Sequence, residues 1–251
     1  MRDYLAWRLA FGVTTPSTNT VVQPEYDDMR PAGVTNHIAR MVIADNPVHS
    51  DADFEKQIGD IDASLEAAVD QVMDAKPNAF ILGISALSVW GGTLAWGEQL
   101  KQRVRKVAGW DVPVTISSDA VVAGLKAHGV ARKIAVMEPY YPCIEPRLRG
   151  VLGAHGYDIV RFCHMRGRSP ASYSVLTAKD MITAVKSIDG DDVEALVAFG
   201  ANLPFAKLAD EAERWLGKPV LQINATTYWH ALRSNGIGDK VYGYGQLLAR
   251  F

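Results

Sequence analysis

Phe11-Gly12-Val13-Thr14-Thr15-Pro16-Ser17-Thr18-Asn19-Thr20 is the stretch on which the reading of this chain turns. An apolar run from Leu9 to Val13 stops at a proline and a cluster of small polar residues, and a helix-like pattern follows. A strand that ends this way brings hydroxyls, an Asn amide and unpaired backbone N–H groups to one point. Such a point suits a small anion, because the helix dipole and the free donors both favour negative charge there. An N-capped turn without a ligand is the ordinary alternative for the cluster taken alone.

Around it, short β-branched runs alternate with longer amphipathic ones. Strands are expected at Leu9–Thr14, Ile38–Ile43, Ala79–Ile84, Val112–Ile116, Lys133–Met137, Asp158–Phe162, Ala195–Phe199 and Pro219–Ile223. Between them, apolar residues recur at spacings of three and four. The sets are Ile58, Ile61, Leu65, Val69 and Val72 within 54–75, then Trp96, Leu100, Val104 and Val107, then Ile144, Leu148, Val151 and Leu152, and finally Phe205, Leu208, Ala212, Trp215 and Leu216. That period is helical. Gly109, Gly129, Gly156, Gly217 and Gly236 follow helical patterns where left-handed caps are expected. Strands that are apolar without alternation are those of parallel sheets buried on both faces. The fold class is therefore α/β.

The chain also resembles itself. Gly12-Val13-Thr14-Thr15-Pro16 is echoed by Ala135-Val136-Met137-Glu138-Pro139, and Leu82-Gly83-Ile84-Ser85-Ala86-Leu87 by Ala198-Phe199-Gly200-Ala201-Asn202-Leu203. Two copies of a strand–turn–helix pair at similar spacing predict two related half-domains. Ligands in open α/β sheets sit beyond the carboxyl ends of the strands. Two halves face to face would gather four such loops around one cleft.

Composition excludes several classes. The chain has 251 residues, 48% hydrophobic and 22% charged, with a formal net charge of −2. That suffices for one large or two small cores, and it gives no global field to attract nucleic acid or an anionic membrane. No apolar run is long enough to span a bilayer, and the first residues lack the apolar core of a signal peptide. Two cysteines, Cys143 and Cys163, make no disulfide framework, so a cytoplasmic protein with reduced thiols is expected. The six histidines and two cysteines show no close metal-ligand spacing, and no metal is expected.

Pro16-Ser17-Thr18-Asn19-Thr20 followed by Glu25, then His37-Ile38-Ala39-Arg40, resembles the opening of maleate cis-trans isomerases. The Glu138-Pro139-Tyr140 turn and the segment Asn224-Ala225-Thr226-Thr227-Tyr228-Trp229 look like the same group and like arylmalonate decarboxylase. Both belong to the Asp/Glu racemase superfamily. The resemblance covers nearly the whole chain and implies two pseudo-symmetric flavodoxin-like half-domains with a cleft between them. It places 1–115 with 225–251 in one half and 116–224 in the other. It also implies a cofactor-independent enzyme, a small carboxylate or carbonyl substrate, and a homodimer or homotetramer.

Members of the superfamily use a pair of cysteines, one per half, and the decarboxylase keeps the second. By resemblance those positions fall at Ile84 and Gly200, neither of which carries a thiol. Thiol addition to a double bond and two-thiol racemisation are then both closed. What remains is a set of donors. Ser17, Thr18 and Asn19 are expected to bind a carboxylate. Ile84 and Ala86 flank Ser85, which matches an oxyanion-binding hydroxyl of the decarboxylase. Gly200 and Ala201 offer backbone N–H groups, Asn202 an amide, and Tyr140 matches a tyrosine that donates to substrate. For any one hydroxyl taken alone, a local turn bond is the simpler reading.

For the acid, base or nucleophile three residues compete. Glu138 is a carboxylate in a cleft that burial would make an acid or base. Cys143 lies near a helix start that would favour a thiolate. Ser85 is a nucleophile only with a base beside it. His37 and Arg40 read as structural, Cys163-His164-Met165-Arg166 as a surface loop after a strand, and Trp90 as core or pocket wall. The expected function is a lyase or isomerase, decarboxylase-like, that passes through an oxyanion-stabilised intermediate. The alternatives are a hydrolase of a small amide, imide or lactam-like ring using water activated by Glu138, and a catalytically inactive scaffold that binds a small acid.

Overall fold

The computed structural model describes residues 4–251. Strand β1 (Leu9–Pro16) lies between β2 (Val34–Met41) and β3 (Ala79–Leu82), and β4 (Val114–Thr115) completes a parallel sheet in the order β2-β1-β3-β4. The second sheet takes β5 (Lys133–Glu138), β6 (Asp158–His164), β7 (Ala195–Ala198) and β8 (Val220–Gln222) in the order β6-β5-β7-β8, again all parallel. The same order appears twice, as the internal repeat predicts. The α/β class with two four-stranded parallel sheets is what the sequence patterning called for.

The helices are α1 (Val22–Met29), α2 (Asp51–Ala63), α3 (Leu65–Met73), α4 (Ser85–Val89), α5 (Leu94–Ala108), α6 (Ser117–Ala127), α7 (Glu145–Gly153), α8 (Ala178–Ile188), α9 (Ala206–Leu216), α10 (Ile223–Ser234) and α11 (Gln246–Arg250). Single 3₁₀ turns occur at Pro142–Ile144 and Ala171–Val175. Gly109 (φ 73°) and Gly217 (φ 67°) take left-handed caps at the ends of α5 and α9, and Gly129, Gly156 and Gly236 also have positive φ.

Four expectations need correction. The amphipathic run over 54–75 is two helices, because the Ser64 hydroxyl donates to the Val42 and Asp60 carbonyls and breaks the run between them. Strand β2 starts four residues earlier than expected; as an edge strand it is only partly covered, so Thr35, Asn36 and His37 are tolerated in it. Strand β6 runs on to His164, beyond the expected Phe162. On α9 the buried face is Ala206, Ala209, Ala212 and Glu213, while Trp215 is 45% exposed.

Strand β1 is buried along its whole length. One apolar cluster fills the first half and continues across the cleft through Ile134, Val136, Leu148 and Phe199. A second lies under α8 and α9, against Ala135, Met137, Leu196 and Ala198. Helix α10 packs on α6 and α1. Among the described residues no helix is long and apolar enough to cross a membrane.

Candidate active site

The carboxyl ends of β1, β3, β5 and β7 deliver four loops to one half-open cavity. The β1 loop contributes Pro16, Thr18 and Asn19, the β3 loop Ile84 and Ala86, the β5 loop Tyr140, and the β7 loop Ala201 and Asn202. Helix α2 adds Gln57, Ile58 and Ile61, and the segment around the second 3₁₀ turn adds Pro170 and Tyr173. The space measures about 30 Å³, room for about two waters. A recess of about 230 Å³ adjoins it and shares Gln57 and Pro170 as walls.

The centre of the site is a set of three donors. Tyr140 Oη and Ser85 Oγ share a hydrogen bond of 2.8 Å, and the Ala201 N–H donates to Ser85 Oγ at 3.2 Å. Ser85 is 0% and Tyr140 4% exposed. Burial pushes the Tyr140 phenol above its ordinary value, so it stays protonated through the neutral range. Its ring stacks on Phe54 at 5.0 Å and meets Tyr173 edge-on at 5.5 Å. Tyr173 Oη in turn donates to Gln57 Oε1 at 3.0 Å.

Paired asparagines lock the β1 and β7 loops together across the cleft. Asn19 Oδ1 accepts the Val21 and Val22 N–H groups at 2.9 Å each, which starts α1, while its Nδ2 donates to the Ala201 carbonyl at 3.2 Å. Asn202 Oδ1 accepts from Thr20 N at 3.0 Å, and its Nδ2 donates to Pro170 O at 3.0 Å. A second donor, Asn224 Nδ2, reaches the Ala201 carbonyl at 3.0 Å and Glu25 Oε2 at 2.7 Å. Two amides thus hold the Ala201 carbonyl, while the N–H of the preceding peptide points to Ser85. Arg40 holds the β1 loop from below through the Asn19 carbonyl at 2.7 Å, the structural role expected of it.

Glu25 completes this array from α1, accepting also from Gln222 and from the Ala206 N–H at the start of α9. Enclosure pushes its pKa up to about 7, against the pull of Asn224. The native state therefore binds this proton more tightly than the unfolded chain, and stability falls as pH rises from the ordinary glutamate range toward 7. Glu25→Gln keeps an acceptor and removes the titration. Urea midpoints of the variant relative to the parent are expected to rise between pH 5 and pH 8, and a pH-independent difference contradicts this assignment.

The structure places several predicted residues elsewhere. Ser17 is exposed and ties its hydroxyl to the backbone of Ile43, donating at 3.1 Å and accepting at 3.0 Å. Gly200 lies against Pro139; a Cβ there would stand 2.6 Å from Pro139 Cδ and 2.8 Å from Leu203 Cδ1. Glu138 does not line the cavity. It is fully buried, accepts from the Tyr140 N–H and pairs with His164 Nδ1. Cys143 faces Asp51 instead of the cavity, and burial with that carboxylate pushes its thiol up to about 12, the reverse of an activated thiolate. Trp90 packs on Phe54 and under Arg147, whose Cζ sits 3.9 Å from the ring centre.

His164 does not lie in a surface loop. It belongs to β6, directly in register with Glu138 of β5. The signal was two polar residues at the carboxyl ends of neighbouring parallel strands, and it was hidden by ending β6 two residues short. Gln57 and Tyr173 carried no signal of their own. Among the described residues, no group of three or more His, Cys, Asp or Glu side chains stands close enough to hold a metal ion.

Two like sheets with a shared cleft at their carboxyl ends define the architecture of the Asp/Glu racemase superfamily. Within it, the chain belongs to the arylmalonate decarboxylase family, whose sequence profile matches residues 47–248. It is 29% identical to the arylmalonate decarboxylase of Bordetella bronchiseptica over 194 residues, covering 74% of this chain and 78% of that one. It is 25% identical to the maleate isomerase of Nocardia farcinica over 94% of each chain. The maleate isomerase Iso of Pseudomonas putida S16, in a crystal structure with maleate, superposes with a TM-score of 0.85 at 19% identity, over 96% of this chain and 97% of that one.

Proposed function

We propose that the chain is a cofactor-independent decarboxylase of a small malonate-type dicarboxylate. The observation that carries this reading is a cavity lined by Tyr140 and Ala201, with Ser85 hydrogen-bonded to both behind the wall, and with no carboxylate, thiol or imidazole among its described walls. Decarboxylation is the reaction of this family that begins without a base, because the electrons come from the breaking bond.

One carboxylate of the substrate displaces the Tyr140–Ser85 and Ala201–Ser85 hydrogen bonds and accepts from the donors so freed, the cavity widening toward the recess beyond Gln57 to admit it. The other lies against the apolar wall of Ile58, Ile61 and Ile84. Moving that anion out of water costs energy that its departure as neutral CO₂ relieves. The bond between it and the α carbon breaks, and the electron pair passes into the retained carboxylate to make an enediolate. Charge grows on the oxygens facing Tyr140, Ser85 and Ala201, where fixed donors lower the barrier by about 3–4 kcal/mol each. The α carbon then takes a proton from the Tyr140 hydroxyl, the Ser85 hydroxyl donates a hydrogen bond to the phenolate so formed, and water entering as product leaves returns the proton to Tyr140. A substituent on the α carbon extends toward the recess beyond Gln57.

Names borne by relatives support the substrate class: malonates for one branch, maleate for the other. Thiol-dependent isomerisation lacks support, because Ile84 and Gly200 stand at the paired strand ends and Gly200 has no room for a side chain. Hydrolysis by a Glu138-activated water lacks it too, because both Glu138 oxygens are engaged away from the cavity. Incubation with phenylmalonate and methylmalonate, followed by CO₂ release, tests the proposal; no release from any malonate contradicts it.

A further inference from the structure

Beneath the donor set runs a line of ionisable groups that this chemistry does not use. Glu138 ends β5 two residues before Tyr140 and is 0% exposed. One of its oxygens accepts the Tyr140 N–H, and the other meets His164 Nδ1. The far side of the imidazole, Nε2, lies 3.3 Å from Glu145 Oε2, and Glu145 pairs with Arg149 at 2.7 Å. The line thus runs from the turn that carries the catalytic phenol, through one ring, to the half-exposed start of α7.

We propose that Glu138 and His164 are positioning residues for the Tyr140 hydroxyl, and that the protonated imidazole is what holds them in place. This rests on the reading of Tyr140 as the oxyanion and proton donor. The reason is electrostatic. A fully buried carboxylate is tolerated only when it is paired or neutralised. Among the described residues, His164 is the only cation within ion-pair distance of Glu138. The other ionisable groups around the pair are Tyr140, Tyr173, Cys163 and Glu145, and none of them supplies positive charge. Arg149 stands behind Glu145, with its guanidinium over the Phe162 ring that stacks on His164.

When His164 loses its proton, Glu138 remains buried without its counter-ion and with a second carboxylate across the ring. The 138–140 turn then loses its anchor, and the phenol moves off Ser85. The hydrogen bond to Glu138 raises the His164 pKa above its ordinary value. The stabilisation is therefore complete below that ordinary value and disappears as pH rises through the higher folded one. Activity is expected to fall on the alkaline side with the His164 midpoint, by about tenfold per pH unit beyond it.

The test is a pH titration of the full chain by NMR, following the His164 ring and the Tyr140 ring, assigned by their loss in His164→Gln and Tyr140→Phe. In the parent, His164 is expected to titrate above its ordinary value of about 6.5, and the Tyr140 signals to shift with the same midpoint. In Glu138→Gln the His164 midpoint falls to the ordinary value or below, and Tyr140 no longer follows it. Where that variant does not fold, Glu145→Gln at the open end lowers the His164 midpoint, and the Tyr140 inflection moves down with it. A Tyr140 signal that stays flat through the His164 titration overturns the proposal, as does a His164 midpoint unmoved by removal of either carboxylate. No substrate is needed for this reading. Coupled titration without malonate turnover leaves the positioning role standing and removes the proposed reaction; turnover with a flat Tyr140 signal does the opposite.

Discussion

Tyr140→Phe is expected to lower kcat by about 10²–10³-fold with a fold indistinguishable from the parent. The ring has reasons to stay that do not involve its hydroxyl. It stacks on Phe54, meets Tyr173 edge-on, and follows a turn tied by its own N–H to Glu138. What the substitution removes is the hydroxyl bonded to Ser85 at 2.8 Å, and with it both a donor to the enediolate and the acid that protonates carbon. Ser85 keeps the Ala201 N–H, so oxyanion binding is weakened rather than abolished. KM should therefore change much less than kcat, since the lost contact strengthens only as charge develops. Steady-state kinetics on a turned-over malonate, with near-UV circular dichroism as the control for packing, decides it. A variant with full kcat removes Tyr140 from the chemistry.

Gly150→Ala is expected to be among the most disruptive single methyl groups in the chain. Gly150 lies on α7, and a Cβ there would stand 2.3 Å from the Gly92 carbonyl oxygen, at the turn that follows α4. Both partners are backbone, so no flexible side chain can give way. The contact joins the two halves, and beside it Arg147 binds Trp90 O at 3.0 Å and Glu55 at 3.2 Å. Overpacking of this kind costs about 3 kcal/mol, which in a chain of this length lowers the melting temperature by on the order of 10 °C. Gly153, at the end of the same helix, has nothing within 4 Å of its Cβ position. Gly153→Ala should therefore leave stability unchanged or raise it by about 0.5 kcal/mol. Equal melting temperatures for the two variants contradict the packing described here.

The parts of this fold legible in the sequence are those set by local chemistry. Apolar runs ending in Pro16 and Pro139 mark β1 and β5, and the glycines after helical patterns mark the caps, because these depend on near neighbours alone. The repeat shows that two such strands belong to like sheets, and from that the convergence of the four loops follows. The donors Ser85, Tyr140 and Ala201 were legible only by resemblance; in isolation each reads as an ordinary turn residue. Glu138 shows the limit. Its position at a strand end was right, but the direction of its side chain depends on His164, 26 residues away on the next strand. Gln57 and Tyr173 were missed for a similar reason. They reach the cavity from α2 and from the loop after β6, and nothing in their own neighbourhoods marks them.

The central claim is that this cleft breaks a carbon–carbon bond with hydrogen-bond donors and no base. It is tested most directly by NMR in deuterated water with phenylmalonate, maleate and a cyclic imide offered in parallel. The account predicts loss of CO₂ from phenylmalonate, one deuteron incorporated at the α carbon of phenylacetate, and no change in maleate or the imide. Formation of fumarate from maleate, or ring opening of the imide with phenylmalonate untouched, would contradict it.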